Sequence, residues 1–178
     1  MRALHMLAAC AALTLSGAAN AGQDGWAPAT SGTGTFTIDT PCTAEEIAAF
    51  DKMPSVTEGV TFAPNSRILC QKGALLLVAG IFERADYPES APALFDAFQE
   101  MIEHDESGGS IRAFDFQGRR ALVNREEGDG EIAQTQLIEL DHSRLILIIG
   151  GVGDPGADSG ALHAMVDRIF DSVRINEQ

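Results

Sequence analysis

Apolar residues change period several times along this chain, and each change marks an element. Residues 34 to 39, GTFTID, alternate, with Phe36 and Ile38 on one face, which predicts a strand ended by Pro41. Thr43 and Glu46 then stand three residues apart, the spacing at which each side chain can accept from the other's backbone N–H. A short helix carrying Ile47 and Phe50 should start there. Residues 54 to 66 contain turn formers and no clear period, and read as a loop. The stretch 67 to 83, RILCQKGALLLVAGIFE, divides at Lys72-Gly73 into two strands. The second, Ala74 to Phe82, is apolar at almost every position, as expected of a central strand covered on both faces.

From Ser90 the period becomes helical. Leu94, Phe95, Phe98, Met101 and Ile102 fall on one stripe, expected to face the core, and Gly108-Gly109 stops the run. Alternation returns in four successive runs, at 111 to 117, 119 to 127, 131 to 140 and 144 to 150. Asp129-Gly130 is a hairpin signal, because both residues tolerate the positive φ of a type I′ turn, and Asp141 to Ser143 makes a second tight turn. Strands joined this closely must be antiparallel. A last helix, 159 to 174, presents Leu162, Met165, Val166, Ile169, Phe170 and Val173 on one face. The pattern predicts an α+β fold, an antiparallel sheet with at least two long helices packed on it. Residues 34 to 178 form its single domain, preceded by a loose lead-in at 22 to 33 in which only Trp26 reaches the core.

The first 21 residues change the picture of where the chain works. Arg2 supplies a short positive region, Leu4 to Leu15 an apolar run too short to span a bilayer, and Ala19-Asn20-Ala21 a small-x-small cleavage site. They read as a signal peptide cleaved after Ala21, which implies a periplasmic or secreted protein. Leu7-Ala8-Ala9-Cys10 has the composition of a lipoprotein box, but cleavage there leaves only nine residues ahead of Cys10, too few for a working leader. The leader contains one Arg and no acid, so the mature chain has 11 basic and 26 acidic side chains, net −15. Such a surface repels phosphate backbones and anionic headgroups, which argues against nucleic acid and against direct membrane binding. Cleavage also reduces three cysteines to two, Cys42 and Cys70. An even pair in an exported chain reads as a disulfide, and closing a 28-residue separation stabilises a fold by about 3 kcal/mol on the chain-entropy model.

Candidate chemistry is sparse. Gly151-x-Gly153-x-x-Gly156 follows an apolar run and matches a dinucleotide fingerprint, yet only 22 residues remain after Gly156, too few for a helix and a second parallel strand. Pro155 stiffens the segment, and Asp154 and Asp158 put negative charge where a pyrophosphate would sit. A surface loop between strand and helix accounts for these glycines. His104, His142 and His163 lack metal-ligand spacing, so neither zinc nor any other cofactor is expected. Asp141-His142-Ser143 holds the residue types of a hydrolase triad, but neighbours in one turn face apart. The acidic tip Glu126 to Glu131 fails the calcium-loop spacing and reads as a solvated turn, with a weak cation module as the alternative. Arg119 and Arg120 point to opposite faces of a strand. Either could share a face with Arg112 or Arg125, and ion pairing to the abundant acids is the expected use.

The opening Phe36-x-Ile38-x-x-Pro41 within FTIDTPC, the closing FDSVRI (170 to 175) and the order of elements between them resemble the PsbP-like superfamily. Its members include lumenal photosystem subunits, a Ran-binding import factor and small exported bacterial proteins. The resemblance implies an α/β/α sandwich and a non-catalytic adaptor or assembly role, and it carries over no ligand-binding residue. The expectation is an exported binding or assembly protein of the cell envelope with a protein partner. The alternative is a small periplasmic enzyme whose site, drawn from Arg120, Glu139, Asp141 and His142, forms only in three dimensions.

Overall fold

The computed structural model describes residues 25–50, 61–84, 87–104, 109–128, 130–153 and 158–176. Among these, the centre is a seven-stranded antiparallel sheet. It is built from β3 (Thr61–Phe62), β4 (Ile68–Lys72), β5 (Leu75–Glu83), β6 (Ser110–Phe116), β7 (Arg119–Gly128), β8 (Glu131–Asp141) and β9 (Arg144–Gly153). Strands β6 to β9 form a meander, β5 pairs with the free side of β9, and β3 and β4 share the outer side of β5. The hairpin from β6 to β7 turns on Gln117 and Gly118, both at positive φ, as a two-residue type I′ loop requires. Between β3 and β4, the buried Ser66 hydroxyl accepts the Ile81 N–H (3.1 Å) and donates to the Ile81 carbonyl (3.4 Å). It completes the pairing of Ile81, whose carbonyl also accepts the Ala63 N–H at 2.8 Å.

A second sheet has the order β1-β2-β10, from β1 (Ala27–Thr30), β2 (Phe36–Thr40) and β10 (Arg174–Ile175). Three helices complete the described chain: α1 (Ala44–Phe50), α2 (Leu94–Glu103) and α3 (Ser159–Asp171). The capping box at α1 is formed in both directions. The Thr43 N–H donates to Glu46 Oε2 at 2.7 Å, and the Glu46 N–H to Thr43 Oγ1 at 3.2 Å. The Cys42–Cys70 disulfide, with Cα atoms 5.7 Å apart, ties the start of α1 to β4.

Side-chain alternation distributes two cores across the large sheet. Ile146, Ile148 and Val152 of β9 cluster with Leu162, Val166, Ile169 and Phe170 of α3 and with Phe36 and Ile38 of the small sheet. Leu145 and Leu147, pointing the other way, cluster with Phe82 and with Leu94 and Phe95 of α2. Each such fully buried side chain contributes roughly 1.5–3 kcal/mol. The chain is therefore broadly α+β and mostly antiparallel sheet, with one face covered by a helix and a small sheet together.

Several expectations are corrected. The stretch read as a loose lead-in holds β1, which pairs with β2 from Ala27↔Thr40 to Thr30↔Thr37, and the loop at 54 to 66 holds β3. Helix α2 begins at Leu94 rather than Ser90, because Pro92 disfavours helix at the residue before it and Ala93 is extended. Met101 lies off the buried stripe, 59 % exposed. The last helix stops at Asp171, and the chain turns into β10. Strand β9 continues to Gly153, so Gly151 and Gly153 are strand residues and not loop residues. The signal peptide, Cys10, Asp129, Asp154 and Gly156 lie outside the described residues.

Candidate functional site

The strand register brings together some of the residues singled out above. Counting outwards from the β7–β8 turn, Ala121 pairs with Ile138, which makes Arg120 and Glu139 cross-strand neighbours. Arg120 Nε lies 3.2 Å from Glu139 Oε2, its other end is bonded to Asp96 of α2, and its guanidinium stacks over Phe95 at 4.6 Å. Asp141 and His142 lie elsewhere. Asp141 Oδ1 accepts the Ser143 N–H at 3.0 Å, and Oδ2 accepts from Arg144 Nε at 2.7 Å. Burial pushes the Asp141 carboxyl up, but the bonds from Arg144 and Ser143 with the Arg144 charge outweigh it and hold it below the ordinary value. The His142 ring packs beside Tyr87, with Nε2 3.1 Å from the Pro88 carbonyl. The four candidates of the enzyme reading thus form two separate groups.

A denser polar cluster lies on the face covered by α3. Arg125 bonds Glu127 (2.9 Å), Gln134 (3.2 Å), Asp167 (2.6 Å) and His163 Nδ1 (2.6 Å). Since arginine only donates, His163 accepts through Nδ1. Burial works against the Arg125 charge, but Asp167 and then Glu127 outweigh it and hold the guanidinium above the ordinary arginine value. Of the acidic tip, Glu127 is committed to this cluster and Glu126 bonds Asn124 Nδ2. Among the described residues, no three His, Cys, Asp or Glu side chains gather at metal-binding distance.

Beside the cluster, α3 leaves part of the sheet uncovered. The end of α3 and the strand β10 that follows it are each held by a neighbouring element. The Ser172 hydroxyl accepts the Asp39 N–H of β2 at 2.8 Å, and Gln117 at the β6–β7 turn accepts the Ile175 N–H at 3.2 Å. Between that end of the helix and β6 to β8 lies an open groove of about 220 Å³. Phe114, Phe116, Val123 and Phe170 supply its apolar walls, and Arg112, Gln134, Gln136 and Asp171 its polar groups. Gln136 is 3 % exposed, and its Nε2 finds no hydrogen-bond partner among the described residues. Leaving a buried amide donor unpaired costs about 1–3 kcal/mol.

The sequence reading missed the two glutamines, although the signal is visible. In EIAQTQLIEL, Gln134 and Gln136 share the parity of Ile132 and Ile138, so polar groups stand where the pattern demands apolar ones. Neither a scan against protein-family models nor a search of curated proteins finds a match to this chain.

Proposed function

We propose that this is an exported, non-catalytic binding or assembly protein of the bacterial cell envelope, with the groove over β6 to β8 as its binding site and a PsbP-like α/β/α sandwich as its scaffold. The unpartnered, buried amide of Gln136 in a groove with aromatic walls supports this reading most directly. A few polar groups converging among apolar walls is the usual composition of a binding cleft. The Cys42–Cys70 bridge is compatible with an oxidising compartment. The groups of the enzyme alternative are already engaged by neighbours, Arg120 by Asp96 and Glu139 and Asp141 by Arg144, which leaves them poorly placed to act on a substrate.

The test is a photocrosslinking amino acid placed in living cells at Phe116, on the groove wall, or at Gln71, on β4 of the same sheet. Position 116 should give a discrete adduct in the periplasmic fraction, read as a mass increase of the intact protein whatever the size of the occupant, and position 71 none. Equal labelling at both sites, or recovery of the protein from the cytoplasm, would refute the proposal.

A further inference from the structure

The charges at the groove mouth identify the class of ligand, on the premise that the groove is a binding site at all. In a chain of net charge −14, the described β7 cations on the groove's face of the sheet are spoken for: Arg125 holds two carboxylates and Arg119 donates to the Leu140 carbonyl. Arg112 is different. Its guanidinium lies 5.3 Å from the Phe114 ring centre and makes no ion pair with any described residue. Asp171 is its counterpart across the groove, an exposed carboxylate with no ion pair to a described residue. It sits in the last turn of α3, where the helix dipole already presents negative charge and a cation would be favoured. The groove therefore holds an unused cation, an unused anion and a buried amide donor, separated by apolar walls.

We infer that the groove binds a free α-amino acid with an apolar side chain. Its carboxylate would be taken by Arg112 and the Gln136 amide, its ammonium by Asp171, and its side chain by Phe114, Phe116, Val123 and Phe170. The alternatives fit less well. A plain carboxylate leaves Asp171 without a cation and adds negative charge beside it, and a plain amine leaves Arg112 and Gln136 unanswered. The groove's 220 Å³ is below the roughly 300 Å³ at which drug-sized sites begin, which suits a ligand of this size.

Isothermal titration calorimetry on the oxidised protein tests this with L-leucine, with 4-methylpentanoate (leucine without its amine), with 3-methylbutylamine (leucine without its carboxylate) and with L-glutamate. Leucine should bind at least ten-fold more tightly than the other three. Arg112→Gln should weaken leucine at least ten-fold without weakening the amine, and Asp171→Asn should weaken leucine without weakening 4-methylpentanoate. Both residues are exposed, so neither change threatens folding, and unchanged thermal midpoints without ligand will show it. Equal binding of 4-methylpentanoate and leucine, leucine binding indifferent to both variants, or no leucine binding at millimolar concentration would each overturn the inference. A position-116 crosslink that persists in such a case leaves the groove as a binding site for another ligand. Loss of the crosslink as well removes the underlying reading.

Discussion

Removing the Cys42–Cys70 bridge should cost the protein about 3 kcal/mol, most of it through the unfolded chain. The bridge closes a ring of separation 28 that contains α1 and β3, so reduction frees that stretch once the protein unfolds. Two variables need separating. The sulfurs are themselves packed in the core, with Cys42 5 % and Cys70 0 % exposed, so replacing both by Ala removes packing together with the cross-link. Reduced wild-type protein keeps the sulfur atoms and loses only the covalent link. Because both sulfurs are buried, reduction must be done in denaturant, followed by refolding under reductant. At roughly 2–4 °C per kcal/mol for a domain of this size, the reduced protein should melt about 6–12 °C lower, and the double Ala variant somewhat lower again. The urea m-value should rise on reduction, since an unlinked unfolded chain exposes more surface. Hydrogen exchange gives a local readout. Helix α1 has only seven residues, too few to stand alone, and is held by its capping box, Ile47 packing and the bridge. Its amides should lose protection before those of β8 and β9. Oxidised and reduced protein melting within 2 °C of each other would refute the reasoning.

Gly150→Ala should destabilise by about 1–3 kcal/mol, because the new Cβ would lie 2.9 Å from Phe170 Cε2 and push that ring out of its packed position towards the groove it lines. Gly128→Ala, with nothing within 4 Å of the added Cβ, is the matched control, and an equal loss of thermal midpoint in both would show that the Phe170 contact is not responsible. Asp141→Asn removes a partly exposed carboxylate that Arg144 and Ser143 hold below its ordinary 3.8, for a loss of a few tenths to about 1 kcal/mol at neutral pH. A depressed folded value stabilises above 3.8, and that stabilisation fades as pH falls through the lowered one. The gap in urea midpoint between variant and wild type should therefore shrink between pH 5 and pH 2.5, and a gap that widens in acid contradicts the assignment.

What could be read from residue order followed the range of the forces involved. The α1 cap is a contact across three positions, and both of its hydrogen bonds are present. The Asp129-Gly130 signal fixed more than a turn. Once a two-residue loop is placed there, every β7–β8 pair follows by counting, including Val123↔Gln136, which carries the groove, and the Arg120–Glu139 proximity. Asp96, Asp167 and Phe170 reach the same faces from helices, and no local pattern specifies which turn of a helix docks over which strand. Strand β1 escaped notice because Ala27-Pro-Ala-Thr30 has no apolar alternation. It is an edge strand held by backbone pairing to β2. Met101 was misplaced because only one side of α2 meets the sheet, and a stripe wider than that contact leaves its outermost member in solvent.

The position of β2 between β1 and β10 also constrains when the molecule can be complete. Residues 36 to 40 are made long before Arg174 and Ile175, which pair one side of that strand and follow every other described element. The meander from β6 to β9 joins neighbours in order and can assemble quickly from local contacts, whereas β2 must wait for nearly the whole chain. Until then Phe36 and Ile38 lack the helix they pack against. Deleting residues 174 to 176 removes β10 along with the Asn176 bonds to Thr35 and Gly34, so the last described strand acts as the latch for the sheet that β1 and β2 begin.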